Sequence, residues 1–322
     1  MLWIVLFIAL FAGAALGVIY VVRSFHRFSF MQRLAWVIKK LSKKELSRDI
    51  TGAAAIVITA VYMGIGWFLA HHVFVTEYSF TTHKPLKNGS LRVVEIADLH
   101  LGITLDGKDF ERELEKAQAA DPDVVVIAGD FVDDDSYKAD MIDACAALGK
   151  LKTKYGVYFI YGNHDKGYSN YRDFTTEDLD RELEKNGIVI LEDESVLIDD
   201  SFYITGRQDR SEETRSGGRA DMKELTKELD SSKYDIVLDH QPNDYAAEAE
   251  AGADLVLSGH THGGHIFPAG YIGLWIGAND RVYGTEKRDN TTFVVTSGIS
   301  GWAIPFKTGT KSEIVIIDIT QE

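Results

Sequence analysis

Five short motifs hold the residues of this chain that could do chemistry. Asp98-Leu99-His100 comes first, then Gly129-Asp130, Gly162-Asn163-His164-Asp165, His240, and the stretch LSGHTHGGH from Leu257 to His265. Carboxylates, imidazoles and one amide, with no thiolate among them, suit Mn, Fe, Zn or a related divalent ion. Asp98 and His100 stand two residues apart, and His260 and His262 repeat the spacing. Two donors so spaced at a strand end can point to one side and chelate at one site. Glycine precedes Asp130, Asn163 and His260. A missing side chain there lets the backbone turn sharply and approach a metal or a phosphate. Taken singly, each residue is explained equally well as a polar strand end or a cap. Five motifs in order are not.

Strands and helices must position these residues. LRVVEIADLH, DVVVIAGD, VYFIYGNHD, YDIVLDH and ADLVLSGHTH each read as an apolar strand ending in polar chemistry. Between them, DFERELEKAQAA is a helix with Phe110, Leu114 and Ala117 on one side, and residues 140–156 read as another. TTEDLDRELEKNG is a capped helix with Thr175 or Thr176 at its start and Gly187 at its end. IVIL, SVLI, SFYITG, TTFVVTSG and SEIVIIDI complete the strands, and the charged segment 208–232 is expected to include a loop over the site. Alternating strands and helices predict an α/β layered domain, and uninterrupted apolar runs predict strands covered on both faces. In open α/β sheets, sites form beyond the carboxyl ends of strands.

The amino-terminal quarter differs in character. Residues 1–22 and 51–70 carry no charged side chain, and each is long enough as a helix, about 30 Å, to cross a bilayer. The loop between them, 23–50, has eight basic residues against Glu45 and Asp49. The reading is two transmembrane helices (1–22 and 51–75) around a basic cytoplasmic loop, a polar connector over 76–90, and a catalytic domain over 91–322. Basic loops stay cytoplasmic, so that domain is expected outside the cytoplasm, which a reporter fused after Glu322 decides. Removing the loop's charges from the chain's 34 basic and 49 acidic residues leaves 26 and 47, a net of −21. So acidic a remainder has no general affinity for nucleic acid phosphates. Cys145 is the sole cysteine, at helical spacing with Met141, Ile142 and Leu148, and reads as a buried apolar side chain.

The order DxH, GD, GNHD, lone His, GHxH resembles the calcineurin-like metallophosphoesterase family over roughly residues 91–322. GHTHGG is similar to its membrane-associated branch of bacterial phosphodiesterases and UDP-2,3-diacylglucosamine pyrophosphatases. The resemblance implies a four-layer α/β/β/α sandwich with two mixed sheets. It also implies two divalent ions: Asp98, His100 and His262 on one, Asn163, His240 and His260 on the other, and Asp130 shared. His164, held by Asp165, would protonate the leaving oxygen. The activity implied is hydrolysis of a phosphate ester or diphosphate, lipid-linked or of the cell envelope, by metal-hydroxide attack at phosphorus. Two alternatives stand beside it: a UDP-2,3-diacylglucosamine-type pyrophosphatase, and a non-catalytic membrane scaffold retaining the metal site.

The remaining candidates are weaker. His265 replaces the glutamine common in that branch and is expected to hydrogen-bond a ligand, touch substrate or be exposed. Arg207, Arg210 and Arg215 suit a second phosphate, with an exposed loop charge as the alternative. Asp239 should point away from His240, and Asp133-Asp134-Asp135 reads as a solvated loop.

Overall fold

The computed structural model describes residues 48–322 apart from Ser216, with side chains from Gly52 onward. The apolar run 1–22 and most of the basic loop lie outside the described residues. Contacts divide the chain into two units, Met1–Phe68 and Leu69–Glu322.

Helix α1, Arg48–His71, contains the second apolar run. Its stretch Gly52–His71 is long and apolar enough to cross a membrane, the one such helix among the described residues. A core helix of a soluble protein would hide its side chains. Here Val57 is 61% exposed and Trp67 57%. The carbonyl of Ala70, one of the four that a helix end leaves unpaired, accepts a bond from the Ser312 hydroxyl at 2.8 Å.

The second unit is built on two six-stranded mixed sheets. The first has the order β1 (Val73–Thr82), β12 (Ser312–Gln321), β2 (Ser90–Ile96), β3 (Val124–Ala128), β4 (Val157–Ile160) and β5 (Ile188–Ile190). The second runs β10 (Gly284–Arg288), β11 (Thr291–Val295), β9 (Leu255–Ser258), β8 (Tyr234–Leu238), β7 (Phe202–Gly206) and β6 (Glu194–Ile198). Strand periodicity fixes the layers. Val125 and Ile127 of β3 pack in a core with Phe110 and Leu114 of α2 (Gly107–Ala119), Met141 and Cys145 of α3 (Lys138–Leu148), and Leu179 and Leu183 of a helix at Thr176–Lys185. Val124 and Val126 face the other way, into a core with Ile204, Ile236, Leu257 and Val294 of the second sheet. A third core, with Met222, Tyr245 and Phe293, lies on that sheet's far side. The result is the expected α/β/β/α arrangement. Each large apolar side chain so buried contributes roughly 1.5–3 kcal/mol.

Three local readings differ from the sequence expectation. Residues 76–82, expected within a connector, belong to strand β1, paired in parallel with β12 over ten positions. Its exposure alternates residue by residue, as on an edge strand, and the polar outer face is what made it read as linker. Strand β10, GTEKR, is absent from the strands expected from the sequence, its residues being polar or charged. Helix α3 stops at Leu148, before Gly149, rather than continuing toward residue 156.

Candidate metal centre

Strands β2, β3 and β4 are parallel neighbours in one sheet, and β8 and β9 in the other. Their carboxyl ends therefore lie side by side, and all five motifs follow them. Two bonds stitch the sheets together at this edge. The His260 N–H donates to Asp98 Oδ1 at 2.9 Å, and His240 Nδ1 donates to the Ala128 carbonyl at 2.8 Å.

The backbone here is strained. Asp98, His100, Asp130, His260, His262 and His265 all have φ between 37° and 68°. Non-glycine residues in that region cost about 1 kcal/mol or more each and persist only where their surroundings over-determine them. Two glycines make the approach possible. A Cβ on Gly129 would lie 2.6 Å from His240 Nδ1, and one on Gly162 2.2 Å from Asp130 Oδ1.

Three groups of donors result, each with its ligand atoms mutually within 4.8 Å: Asp98, His100 and His262; Asp130, His240 and His260; and His100, Asp133 and His164. Asp130 joins the first two. Its Oδ2 lies 3.1 Å from His240 Nε2 and 3.5 Å from His100 Nε2, while Oδ1 accepts the His164 N–H at 2.8 Å.

The donor set fits a cation on two counts. First, Asp98 Oδ2, Asn163 Oδ1 and His240 Nε2 are buried without a hydrogen-bond partner. The His240 nitrogen has Asp130 at bonding distance but not in a bonding direction. Orphaned buried polar atoms are costly unless something else satisfies them. Second, His100 Nδ1 bonds Asp133 Oδ2 at 2.6 Å, and His262 Nδ1 reaches the Ser300 carbonyl at 3.3 Å. Oxygen acceptors on both Nδ1 atoms turn the two Nε2 atoms inward, where they face each other at 3.1 Å, close enough for one cation to engage both. Burial pushes His262 well below the ordinary imidazole range, and burial and His240 push His260 down to about 4, so both rings are neutral donors.

Comparison with known proteins follows the same residues. The family model of calcineurin-like phosphoesterases matches residues 91–264. The chain belongs to the calcineurin-like phosphoesterase family. An Aquifex aeolicus relative, known only as an uncharacterized metallophosphoesterase, is 31% identical over 76% of this chain and 91% of its own. A transmembrane protein with a metallophosphoesterase domain from Bos taurus is 30% identical over 81% of this chain and 61% of that one. The similarly described protein of Danio rerio is 29% identical over 98% and 74%. This chain thus spans about three-fifths of the bovine relative. Family membership implies a metal-dependent phosphoester hydrolase with a phosphorylated substrate.

Within this calcineurin-like site, three expectations are corrected. Asp165 does not hold His164. Its carboxylate accepts backbone N–H bonds from Phe131, Val132 and Gly162 at 2.7–2.9 Å, tying the loop after β3 to the turn at Asn163–Gly167. The partner of His164 is Asp133, whose Oδ1 lies 2.9 Å from Nδ1. Asp133 is therefore no solvated loop residue. It is 1% exposed, with one oxygen on His100 and the other on His164. The available signal was its place three residues after Asp130; two further aspartates beside it gave the appearance of a charged loop.

Arg207 is also removed from the substrate candidates. It is 2% exposed and engaged by Asp239 at 2.7 Å, Asp244 at 3.0 Å and Glu248 at 3.6 Å. Asp239 points away from His240, as expected, onto Arg207 and Arg219. Arg207→Ala would leave Glu248 a buried acid without its ion partner and Asp239 with Arg219 alone, and is expected to cost about 3 kcal/mol of stability with little change in KM. Thermal unfolding and steady-state kinetics check this; a tenfold rise in KM at unchanged stability would restore Arg207 as a substrate contact.

Arg210 is half exposed, with Glu213 at 3.8 Å. Arg215 pairs with Glu212 and is the arginine of the three that abuts the Asn163–Gly167 turn: a Cβ on Gly167 would lie 2.8 Å from its Nη2. His265 joins none of the donor groups. Burial and Lys307 push it down to about 4, and its Nε2 accepts the Trp302 N–H at 3.4 Å.

Proposed function

We propose that this chain is a membrane-anchored phosphoesterase that holds two divalent cations and hydrolyses a phosphate ester or diphosphate of a lipid-linked or cell-envelope molecule. The observation that carries the reading is the trio of orphaned buried atoms, Asp98 Oδ2, Asn163 Oδ1 and His240 Nε2, beside the Asp130 carboxylate, whose Oδ2 faces His240 of one donor group and His100 of the other. Asp98, His100 and His262 would hold one cation, Asn163, His240 and His260 the other, and Asp130 both. When bound, such a pair supplies Lewis-acid pull on phosphoryl oxygens and an acidified water.

The chain's own part is to orient and to move a proton. Asp133 takes the Nδ1 protons of His100 and His164, which turns His100 Nε2 toward the donor group and leaves His164 Nε2 to carry the transferable proton. Burial alone would lower His164, but its bond to Asp133 and the charge of Asp130 raise it, so the proton is available to a leaving oxygen. Asp165 keeps the His164 turn in place through backbone bonds. The exposed apolar helix α1 supports anchoring, as do the Bos taurus and Danio rerio relatives, both transmembrane proteins with a metallophosphoesterase domain.

Full-length protein loaded with Mn is expected to hydrolyse p-nitrophenyl phosphate or its bis ester, and a chelator should abolish the turnover. Absence of turnover across several metals, each confirmed as bound, would favour the scaffold reading.

A further inference from the structure

The loop that carries His262 and His265 runs on through residues 266–278, IFPAGYIGLWIGA, thirteen positions without a charged side chain. The structure turns them outward in two short helical turns, Ala269–Tyr271 and Ile272–Trp275, with Phe267 63%, Ile272 50%, Trp275 69% and Ile276 73% exposed. Single exposed apolar residues are ordinary. A run of them on one projection calls for an apolar partner.

Two features favour a bilayer over a protein partner. Much of the backbone of the projection bonds within itself: Gly270 to Ile266, Tyr271 to Pro268, Ile276 to Ile272, Gly277 to Leu274 and Ala278 to Gly273. A segment entering hydrocarbon must do this, because no water is there to bond. Of its three aromatic residues, Trp275 and Tyr271 are of the two types enriched at membrane–water interfaces, and the same chain carries the apolar helix α1.

We infer that residues 266–278 form a foot that dips into the leaflet of the chain's own membrane and holds the mouth of the metal site at the level of the lipid headgroups. This rests on the membrane-anchored reading above. The foot is fixed to the site at its base. The Phe267 N–H donates to Thr308 Oγ1 at 3.1 Å, and the His265 carbonyl accepts from the N–H groups of Thr308 and Gly309 at 2.8 Å each. A Cβ on Gly270 would lie 1.7 Å from the Gly264 carbonyl oxygen, so the foot and the His262 loop are in backbone contact. From that base an aromatic surface continues to the proton donor. The Trp302 ring is 6.2 Å from both His265 and His164, and His164 stacks on Tyr168 at 4.6 Å.

The test uses the full chain in lipid nanodiscs with a nitroxide at Ile276→Cys; the native Cys145 is buried and does not compete for label. Collision rates with oxygen and with a water-soluble nickel chelate report the surroundings. High oxygen and low nickel accessibility is the expected result. High nickel accessibility means water, and low accessibility to both means a protein partner, including a second copy of this chain; either overturns the foot. A second label at Val57→Cys separates this from the anchor. Lipid-like collisions at Val57 with water-like ones at Ile276 overturn the foot alone, whereas water-like collisions at both sites overturn the anchored reading and the foot with it.

Discussion

Replacing Asp130 by Asn is expected to lower kcat by about 10⁴-fold or more and to leave the fold intact. The reason lies in which atom must go where. Asp130 Oδ1 accepts the His164 N–H, so the carbonyl oxygen of an asparagine would keep that position. Its NH₂ would then point at His240 Nε2 and His100 Nε2, now 3.1 and 3.5 Å from Oδ2. A donor would replace the one carboxylate oxygen that faces both groups, and the negative charge that offsets two neighbouring dications would be gone. Size and backbone conformation are conserved, and asparagine tolerates the positive φ of 51° better than most residues. Unfolding temperature should therefore move little while bound metal falls below two per chain. Activity within tenfold of the parent at full metal content would sink the shared-carboxylate reading.

Much of this site is legible in the sequence because its residues follow strands. A run such as DVVVIAGD states both its own structure and the place where its last carboxylate will stand. The sheets hold the ends of β2, β3, β4, β8 and β9 together, so five motifs spread along the chain collapse to one edge. What stays illegible is partner choice between side chains that any of several neighbours could satisfy. Asp165 sits next to His164 in sequence, yet a residue's neighbour on a tight turn points elsewhere, and its carboxylate serves three backbone N–H groups. Asp133 looks like surface charge because sequence does not show that the loop after β3 folds inward beneath two histidines. Arg207 likewise follows a strand end, as a phosphate-binding arginine should, but the acids that claim it lie 32 to 41 positions further on. Edge strands such as β1 and β10 escape notice because half of their side chains face water. Nor does the lack of charge in 266–278 by itself distinguish a buried segment from an exposed one.

Asp133→Asn is expected to lower turnover of substrates with poor leaving groups by roughly 10³-fold, although Asp133 is not among the residues assigned to hold the two cations. Its two oxygens serve two different functions. One fixes the His100 ring with Nε2 toward the donor group, and the other bonds His164 Nδ1. An asparagine can accept from only one of the two, since its NH₂ cannot take a proton bond from an imidazole N–H. If His100 loses its acceptor, metal affinity falls by about 10–100-fold. If His164 loses its acceptor, the proton donor is weakened, and the leaving group reveals it: p-nitrophenolate departs without a proton, so its loss should be smaller than that of an alkyl ester. The pH profile gives a readout that a merely structural role would not move. Burial would lower the His164 imidazole, but Asp133 and Asp130 raise it, so the protonated form persists to higher pH than in a free histidine. Acid-assisted turnover is therefore present below that raised value and is lost as pH climbs through it. Removing the charge of Asp133 lowers the value, and the alkaline limb for an alkyl phosphate should shift to lower pH. An unchanged alkaline limb, together with equal losses for both leaving groups, would remove Asp133 from the proton path and leave it only as the support of His100.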